Sequence, residues 1–442
     1  MPSPEVSPPA WLPGRTWYQV HALAALGCEP TSPDPFAAAP LGHRLRRLVE
    51  WLDHLVDLGV GGLLLTPVFA SMTHGYDTVD PLRVDPRLGD ADDLQRLIDA
   101  CHARDLRIVL DGVLNHVGRA FPPFADVLRR RRESPWTDWF HLDFDRGGPD
   151  GFAYRTFEGH AHLVALNHRN AAVRAWAAEL TAYWLARGVD GWRFDAAYAV
   201  PADFWAGLCG PLRVRFPDAF LFGEVIHGDY AGFVRASGMH AVTQYELHKA
   251  IWSALNDRNC FELSWALDRH AAFARTFVPV TFVGNHDVTR IASRLRDPAH
   301  LGHALAVLCT VPGHPCIYYG DELAWRGVKE RREGGDDAIR PPLPATPAPA
   351  SPEAAAALAL HRELLRLRRE RPWLATADLR VTTLQNTHCE YVVWSGAHTL
   401  AVRLNAGATA VTFPGAGGAW RALAGAGTGP VPAGAWSVVE AG

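Results

Sequence analysis

Acidic, basic and imidazole side chains stand where several short apolar runs of this chain end. Seven of them share this placement, at or just after the runs 106–110, 191–194, 220–223 and 280–283: Asp111, His116, Arg193, Asp195, Glu224, His286 and Asp287. A single Asp in such a place is usually a turn or helix-cap residue. Four acids, two histidines and one arginine at four run ends are not explained by independent caps. We therefore expect them to converge on one site.

Two carboxyl groups at one site are typical of glycoside hydrolysis or glycosyl transfer, in which one is ionised to attack and the other protonated to donate. Arg193 and Asp195 share one face of a strand because side chains alternate, and the cation favours an ionised Asp195. Phe222 and Val225 give Glu224 an apolar setting that raises a carboxyl pKa, so Glu224 is the expected proton donor. The two carboxyl groups should lie about 5–5.5 Å apart, the separation of a retaining enzyme.

Eight apolar runs alternate with amphipathic helical patterns, which is typical of a parallel sheet. The runs are 17–20, 62–65, 106–110, 191–194, 220–223, 241–243, 280–283 and 316–319, and helical patterns cover 45–58, 91–104, 171–187, 202–216, 301–311 and 354–371. Eight such units predict an α/β fold, a closed (β/α)8 TIM barrel. In that fold catalytic groups stand at the carboxyl ends of the strands.

Two regions lie outside this alternation. Residues 117–167, after the third run, are rich in Pro, Gly, Arg and aromatics, follow no period and are too long for an ordinary loop. They predict an inserted domain. From residue 375 short alternating runs and Gly-rich turns predict a small C-terminal antiparallel β domain. The predicted barrel thus comprises 1–116 and 168–374, the insertion 117–167 and the last domain 375–442.

Composition excludes several classes of function. The 442 residues include 43 basic and 47 acidic side chains, a net charge of −4, which excludes a nucleic-acid binder driven by bulk charge. No run approaches the roughly 20 apolar residues of a membrane span, and the first residues lack a signal-peptide pattern, so a cytoplasmic protein without a membrane partner is expected. The seven cysteines show no metal spacing, and His160 and His162, the one His-x-His pair, lie in the insertion, which disfavours a metal hydrolase. The sequence leaves the oligomeric state open.

Four ordered motifs carry a resemblance to a known family. They read DGVLNH at 111–116, GWRFD at 191–195, GEV at 223–225 and FVGNHD at 282–287. With them the chain, from about Trp17 to its end, resembles the α-amylase family, glycoside hydrolase family 13. The resemblance implies a retaining mechanism in which Asp195 is the nucleophile, Glu224 the acid/base and Asp287 the third acid, which grips ring hydroxyls.

The resemblance also implies substrate-binding residues. Arg193, His116 and His286 match residues that bind the sugar at the cleaved bond, and Asp111 resembles a structural acid near Arg193. Tyr76, in the sequence HGYD at 74–77, matches an aromatic platform beneath that sugar. Asp77 and Arg340 resemble an Asp–Arg pair of exo-acting members that closes the non-reducing side. We expect the two to pair and to make the site a pocket for short chains.

Within the family, the sequence resembles one branch more than the others. Residues 115–139 most resemble the neopullulanase and cyclomaltodextrinase branch, although only about 16 residues stand where that branch has an N-terminal β domain. After Asp195 the chain reads Ala196-Ala197-Tyr198 rather than the Lys-His of endo-acting α-amylases, which weakens the case for attack on long starch chains. Asn115 matches a calcium ligand of the amylases. Calcium is a candidate ligand, and no cofactor is expected to be required.

The sequence predicts an enzyme that hydrolyses α-glucosidic bonds, mainly α-1,4, of maltodextrins or related oligosaccharides through a covalent glycosyl-enzyme. The alternative is an α-glucanotransferase or glucosyltransferase, since water and a sugar hydroxyl attack the same intermediate. An inactive binding relative would lack one of the three acids, and all three are present. In the insertion, Trp136, Trp139 and Phe140 either contact sugars beyond the cleaved bond or form the insertion's own core.

Overall fold

Eight parallel strands form a closed barrel in the computed structural model, which describes residues 7–332, 334–414 and 419–442. The strands, numbered here as the first to the eighth barrel strand, are Trp17–Val20, Gly62–Leu65, Arg107–Gly112, Gly191–Phe194, Phe220–Gly223, Ala241–Val242, Val280–Phe282 and His314–Tyr318. Each pairs with its chain neighbour, and the eighth pairs with the first. A parallel bridge between Thr243 and Val280 closes the sixth strand onto the seventh. The predicted TIM barrel is confirmed.

Nine helices of eight residues or more surround the strands in the described part of the chain. They are Arg46–Leu58, Ala91–His102, Ala171–Leu185, Ala202–Arg215, Tyr230–Ser237, Tyr245–Asp257, Cys260–Ala274, Leu301–Thr310 and Pro352–Arg369. Local signals set their ends. Asp90 and Asp93 form a capping box at the start of Ala91–His102, and Gly59 ends Arg46–Leu58 at φ +90°, a conformation that favours glycine. Shorter helical segments are Ala22–Ala25, Ile291–Arg294 and the 3-10 turns Ala197–Ala199, Pro298–His300, Asp321–Leu323, Asp337–Ile339 and Pro372–Thr376.

Large apolar side chains fill the barrel below its carboxyl ends. Trp17 of the first strand stacks on Phe220 of the fifth at a ring-centroid distance of 5.9 Å. Leu64, Val109 and Cys316 are buried in the same cluster. Because this apolar cluster fills the lower part of the barrel, the predicted site residues lie at the upper end, where the strands have their carboxyl ends.

A hairpin that the sequence analysis did not predict follows the second barrel strand. Its strands are Phe69–Ser71 and Thr78–Val84, and their pairing is interrupted by register shifts. Its turn carries Tyr76 and Asp77 to the mouth of the barrel. A Cβ on Gly118 would lie 2.3 Å from the Asp77 carbonyl oxygen, so the glycine lets the insertion pass close to this turn.

The segment after the third barrel strand has its own small core. Its strands are His116–Gly118, Thr156–Phe157 and His160–Ala165 in one antiparallel sheet and Leu142–Asp143 with Ala153–Tyr154 in a hairpin, and its helical segments are Pro122–Arg130, Arg131–Glu133 and Thr137–Trp139. Trp139 and Phe140 are buried in that core beside Phe124. Trp136 packs edge-on against Trp139 at 5.1 Å. Of the two roles weighed for these aromatics, the structure places Trp139 and Phe140 in the core.

The last part of the chain forms a five-stranded antiparallel sheet, as predicted. In sheet order its strands are Asp378–Leu384, His388–Ser395, His398–Asn405, Trp436–Ala441 and Trp420–Gly425. It packs against the barrel helices Cys260–Ala274 and Leu301–Thr310. Throughout the described residues, every helix is too short or too polar to cross a membrane.

Candidate active site

The strand register brings Arg193 beside two acids at the upper end of the barrel. Arg193 of the fourth strand is level with Asp111 of the third and with Phe222 of the fifth. Asp195 follows the fourth strand directly, and Glu224 follows the fifth. The structure thus brings together residues that were predicted from their positions at the carboxyl ends of strands, although their contacts differ in part from those expected.

Arg193 binds three carboxylates rather than one. Its guanidinium donates to Asp111 Oδ2 through a short hydrogen bond, lies 3.3 Å from Asp195 Oδ1 and lies 2.9 Å from Glu224 Oε1. The side chain is almost fully buried. A buried cation is stable only when it is paired, and here three acids of three neighbouring strands pair it. The contacts of Arg193 with Asp195 and with Asp111 agree with the sequence analysis, and the contact with Glu224 was not predicted.

Glu224 accepts further hydrogen bonds from two residues of neighbouring strands. The Ala196 backbone N–H donates to Oε2 at 3.1 Å, and the Tyr245 hydroxyl donates to Oε1 at 2.9 Å. Ala196 has φ +45°, a strained backbone for a non-glycine residue, and this turn directs its N–H to Glu224. Asn285 Nδ2 in turn donates to the Tyr245 hydroxyl at 2.9 Å. Glu224 is thus held in place by several hydrogen-bond donors.

The pKa of Asp195 is shifted in the direction opposite to the one expected from the neighbouring Arg193. Burial raises the pKa of Asp195 well above its usual range, and the neighbouring Glu224 carboxylate adds to this, against the opposing influence of Arg193. Arg193, which also pairs with Asp111 and Glu224, lowers the pKa of Asp195 but does not offset the effect of burial. Burial also raises the pKa of Asp111 to about 6, although Arg193 and His286 oppose the rise.

Asp287 lies between two cationic or hydrogen-bonding partners. Its Oδ2 is 3.0 Å from His286 Nε2, and its Oδ1 is 3.0 Å from Arg340 Nη2. Burial opposes its charge, but His286 and Arg340 outweigh burial and hold the pKa of Asp287 well below its usual value. Arg340 also donates to the His286 carbonyl at 2.9 Å and pairs with Asp336 at 2.8 Å. Asp287 is therefore the acid of the site whose negative charge is best supported.

The predicted pair of Asp77 and Arg340 is not formed. Asp77 is buried in the hairpin turn, where its carboxylate accepts hydrogen bonds from the Thr73 backbone N–H at 3.0 Å and the Thr73 hydroxyl at 2.8 Å. Arg340 is committed to Asp287 and Asp336. Because both side chains satisfy their charge or hydrogen bonding elsewhere, the predicted pairing is wrong. A pocket for short chains stays a prediction that no longer depends on this pair.

Aromatic and imidazole rings line the side of the mouth next to Asp287. The Tyr76 and His286 rings are parallel, 5.4 Å apart. The Tyr76 hydroxyl lies 2.5 Å from His286 Nε2 and 3.1 Å from Asp111 Oδ2. The ring of His116 stacks on Phe157 at 4.8 Å. Six predicted residues from five strand ends are thus within one connected network: Tyr76, Asp111, Arg193, His286, Asp287 and Arg340.

His116 reaches the mouth with both ring nitrogens engaged. Its Nε2 is 3.1 Å from the Tyr76 carbonyl, which requires Nε2–H as donor, and its Nδ1 is 3.1 Å from the Asn115 side-chain amide nitrogen. Burial lowers the pKa of His116 to about 3, so the ring is neutral. Neither nitrogen is available to a sugar hydroxyl while these bonds persist, so direct sugar binding by His116 stays a prediction.

Asn115, the candidate calcium ligand, donates from its amide nitrogen to His116 Nδ1, a contact that does not involve the side-chain oxygen through which an Asn binds calcium. Among the described residues, the one group of acid or imidazole side chains that could hold an ion is His43, Asp90 and Asp93. Asp93 in that group caps a helix and pairs with two arginines, which accounts for it structurally. A calcium role for Asn115 stays a prediction.

Sequence reasoning missed three residues of the site. Tyr245 stands three residues after the sixth barrel strand, so the same strand-end rule could have found it. Asp336 lies in an irregular loop and carries no local signal. Glu158, at the tip of the hairpin in the insertion, accepts a hydrogen bond from the Tyr198 hydroxyl at 3.0 Å and could be found only from the fold.

Comparison with known proteins agrees with the geometry. The profile described as alpha amylase, catalytic domain, matches residues 42–341. A cyclomaltodextrinase from a Bacillus species is 34% identical over 72% of this chain and 61% of that protein, so the match spans less than two thirds of that relative. A maltogenic alpha-amylase from Bacillus acidopullulyticus is 30% identical over 92% of this chain and 72% of that protein. The solved cyclic alpha-maltosyl-(1→6)-maltose hydrolase from Arthrobacter globiformis superposes with a TM-score of 0.83 at 25% identity, covering 98% of this chain and 99% of that one.

Proposed function

The chain belongs to the α-amylase family, and we propose that it hydrolyses α-glucosidic bonds, mainly α-1,4, of maltodextrins or related short or cyclic oligosaccharides with retention of configuration. The observation that carries this proposal is the arrangement of Asp195 and Glu224 on neighbouring strands around one buried arginine, with Asp287 across the mouth. Relatives named cyclomaltodextrinase and maltogenic alpha-amylase support the choice of substrate class.

In the first step Asp195 attacks the anomeric carbon and forms the glycosyl ester, while Glu224 gives a proton to the leaving oxygen. This step needs the proton on Glu224 and the negative charge on Asp195. Arg193 touches both carboxyl groups, so the cation stays paired while Asp195 becomes an ester and Glu224 becomes a carboxylate. Burial and the neighbouring Glu224 raise the pKa of Asp195, and Arg193 opposes this rise and so favours the attacking carboxylate.

In the second step Glu224 acts as a base on the incoming water, which attacks the anomeric carbon and releases Asp195. Glu224 has given up its proton in the first step and is therefore a carboxylate when the water attacks. Tyr245 and the Ala196 backbone N–H donate to the two Glu224 oxygens and hold the carboxyl group in place. We assign Tyr245 a positioning role toward Glu224.

The opposite half of the mouth is proposed to hold the sugar that is transferred. Asp287 is ionised and accepts hydroxyl hydrogen bonds, Arg340 and His286 keep it charged, and the Tyr76 ring supports the sugar face. Asp77 and Arg340 do not pair and therefore do not support a preference for short chains. Preference for short chains depends instead on the relatives and on the absence of the Lys-His pair after Asp195.

A panel of substrates tests the proposal. The protein is incubated with maltotriose, a cyclodextrin, pullulan, sucrose and trehalose, and products are separated by size. Release of glucose and maltose from maltotriose or the cyclodextrin is expected. Products longer than maltotriose at high donor concentration would establish glucosyl transfer by the same carboxylates instead. No product from any α-glucan would contradict the proposal.

A further inference from the structure

The mouth of the barrel has two halves with different residues. Tyr76, His286, Asp287 and Arg340 come from the ends of the second, seventh and eighth strands and form the half proposed to hold the transferred sugar. Asp195, Glu224 and Tyr198 follow the fourth and fifth strands. The sugar on the other side of the cleaved bond, which departs or later attacks, must therefore lie on the half that carries Tyr198.

Tyr198 is connected to the insertion across this second half. It lies in the turn Ala197–Ala199, three residues after Asp195, and packs half-buried against the cluster that contains Phe222 and Val225. Its hydroxyl donates to the carboxylate of Glu158 at 3.0 Å. Burial is the main cause of the raised pKa of Tyr198, followed by Glu158. The charges of Glu224 and Asp195 raise it further. Tyr198 therefore lies at the same strand end as Asp195, in the turn that follows it.

The hairpin that supplies Glu158 is fixed over the mouth at two points. Phe157 stacks on His116, and the next residue reaches Tyr198. Phe157 pairs with His160, so Glu158 and Gly159 are the two turn residues, with φ +49° and +83°. Such a turn favours Asn, Asp or Gly at its first position, and Glu there is strained. A side chain that disagrees with its local backbone is typical of a residue kept for another purpose.

We propose that Tyr198 and Glu158 form a clasp that binds the sugar unit on the leaving-group side of the cleaved bond. The Tyr198 ring offers this sugar an apolar face, and Glu158 holds the ring in place from the insertion. The clasp thereby sets how well the enzyme uses a sugar, rather than a small group, as leaving group or acceptor. This inference rests on the proposed function, since it requires that α-glucosides be cleaved at Asp195 and Glu224.

Two substrates separate this role from general damage to the site. Maltotriose places a sugar against the clasp, whereas fluoride, the leaving group of α-maltosyl fluoride, is too small to touch it. Glu158→Asn replaces the strained Glu with a residue that the turn favours, so the hairpin is retained. Tyr198→Phe retains the ring and removes only the hydroxyl. Tyr183→Phe, on the outer helix Ala171–Leu185, is the matched control.

We expect the ratio of kcat/KM on maltotriose to kcat/KM on α-maltosyl fluoride to fall about fivefold to tenfold in Glu158→Asn and in Tyr198→Phe, the loss of about one hydrogen bond. The double variant should be no worse than either single variant, because both remove the same contact. The ratio in Tyr183→Phe should equal that of the wild type.

Other outcomes separate the two proposals. An unchanged ratio in both variants, or equal losses on both substrates, overturns the clasp and leaves the proposed function standing. A wild-type protein that turns over neither substrate overturns the proposed function itself.

Discussion

At the scale of residues, one guanidinium determines the electrostatics of the site. The strand-end rule predicted that Asp111, Arg193, Asp195, Glu224 and Asp287 would meet, because parallel strands end together. It did not predict that Arg193 would be shared among three acids, since a sequence gives no distances between strands. The same limit explains the wrong pairing inferred for Arg340, whose real partners are set by loop conformation.

Arg340 supports the charge of Asp287, and its removal has a predictable pH effect. In Arg340→Met the pKa of Asp287 should rise, because one of the groups that hold it below its usual value is lost. If Asp287 acts as an anion, activity on maltotriose should be lost at acidic pH earlier than in the wild type. We expect the acid limb of the kcat/KM profile to move up by about one pH unit. An acid limb at the wild-type pH would contradict the assigned role of Asp287.

At the scale of elements, the apolar runs predicted all eight barrel strands to within a few residues. Buried parallel strands read as continuous apolar segments, so their signal is strong. The hairpin of Phe69–Ser71 and Thr78–Val84 escaped prediction because its pairing is irregular and its outer strand contains Asp, Pro and Arg. Three helices between residues 230 and 274 were also missed. The sequence therefore identified Tyr76 and Asp77 as candidate site residues, but it did not predict the hairpin turn that carries them or the contacts they make.

A buried arginine joins two barrel helices and offers a test of their packing. Arg368 of Pro352–Arg369 donates to the carbonyls of Val311 at 2.6 Å and Gly313 at 2.5 Å, beyond the end of Leu301–Thr310. Burial lowers the pKa of Arg368 to about 10, so it remains charged near neutral pH. Arg368→Met should lower the free energy of unfolding by about 2–4 kcal/mol, because buried carbonyls lose their donors.

Urea unfolding measures this effect, and Arg366→Met provides the control, since Arg366 is exposed on the same helix. The control should unfold within about 0.5 kcal/mol of the wild type. Equal stability of the two variants would show that Arg368 does not stabilise the helix end.

Asp321 predicts a pH dependence of stability. It follows the eighth strand, pairs with the buried Arg290 at 2.9 Å, and burial raises its pKa to about 7 against the influence of Arg290. A carboxyl pKa that is higher in the folded state means that the fold binds the proton more tightly. The resulting stability is present at low pH and is lost as pH rises from about 4 to about 7.

Asp321→Asn removes this titration while keeping an oxygen for Arg290. The free energy of unfolding of the wild type should therefore fall relative to that of the variant by about 1 kcal/mol per pH unit between pH 5 and pH 7. Urea unfolding at several pH values gives both curves. Parallel curves would show that Asp321 is ionised in the folded protein throughout this range.

At the scale of the whole molecule, the sequence predicted the order of barrel, insertion and terminal sheet, and the barrel and sheet are confirmed. It left the roles of the insertion's aromatics open, because a Trp in a core and a Trp on a sugar have the same sequence pattern. The structure buries Trp139 and Phe140 and sends a charged turn residue, Glu158, across the mouth instead. Contacts between parts separated by tens of residues define this face of the site, and periodicity does not encode them.

The central claim is that Asp195 attacks the sugar and Glu224 handles the proton. The most direct test is the reaction of Glu224→Gln with α-maltosyl fluoride in the presence of azide. Fluoride leaves without a proton, and azide attacks the glycosyl-enzyme without a base, so we expect α-maltosyl azide to form. The same variant should lose about 10²–10⁴ of its activity on maltotriose, and Asp195→Asn should be inactive on both substrates. If Glu224→Gln is as inactive toward the fluoride with azide as toward maltotriose, Glu224 is not the acid/base and the assignment of the two carboxylates is wrong.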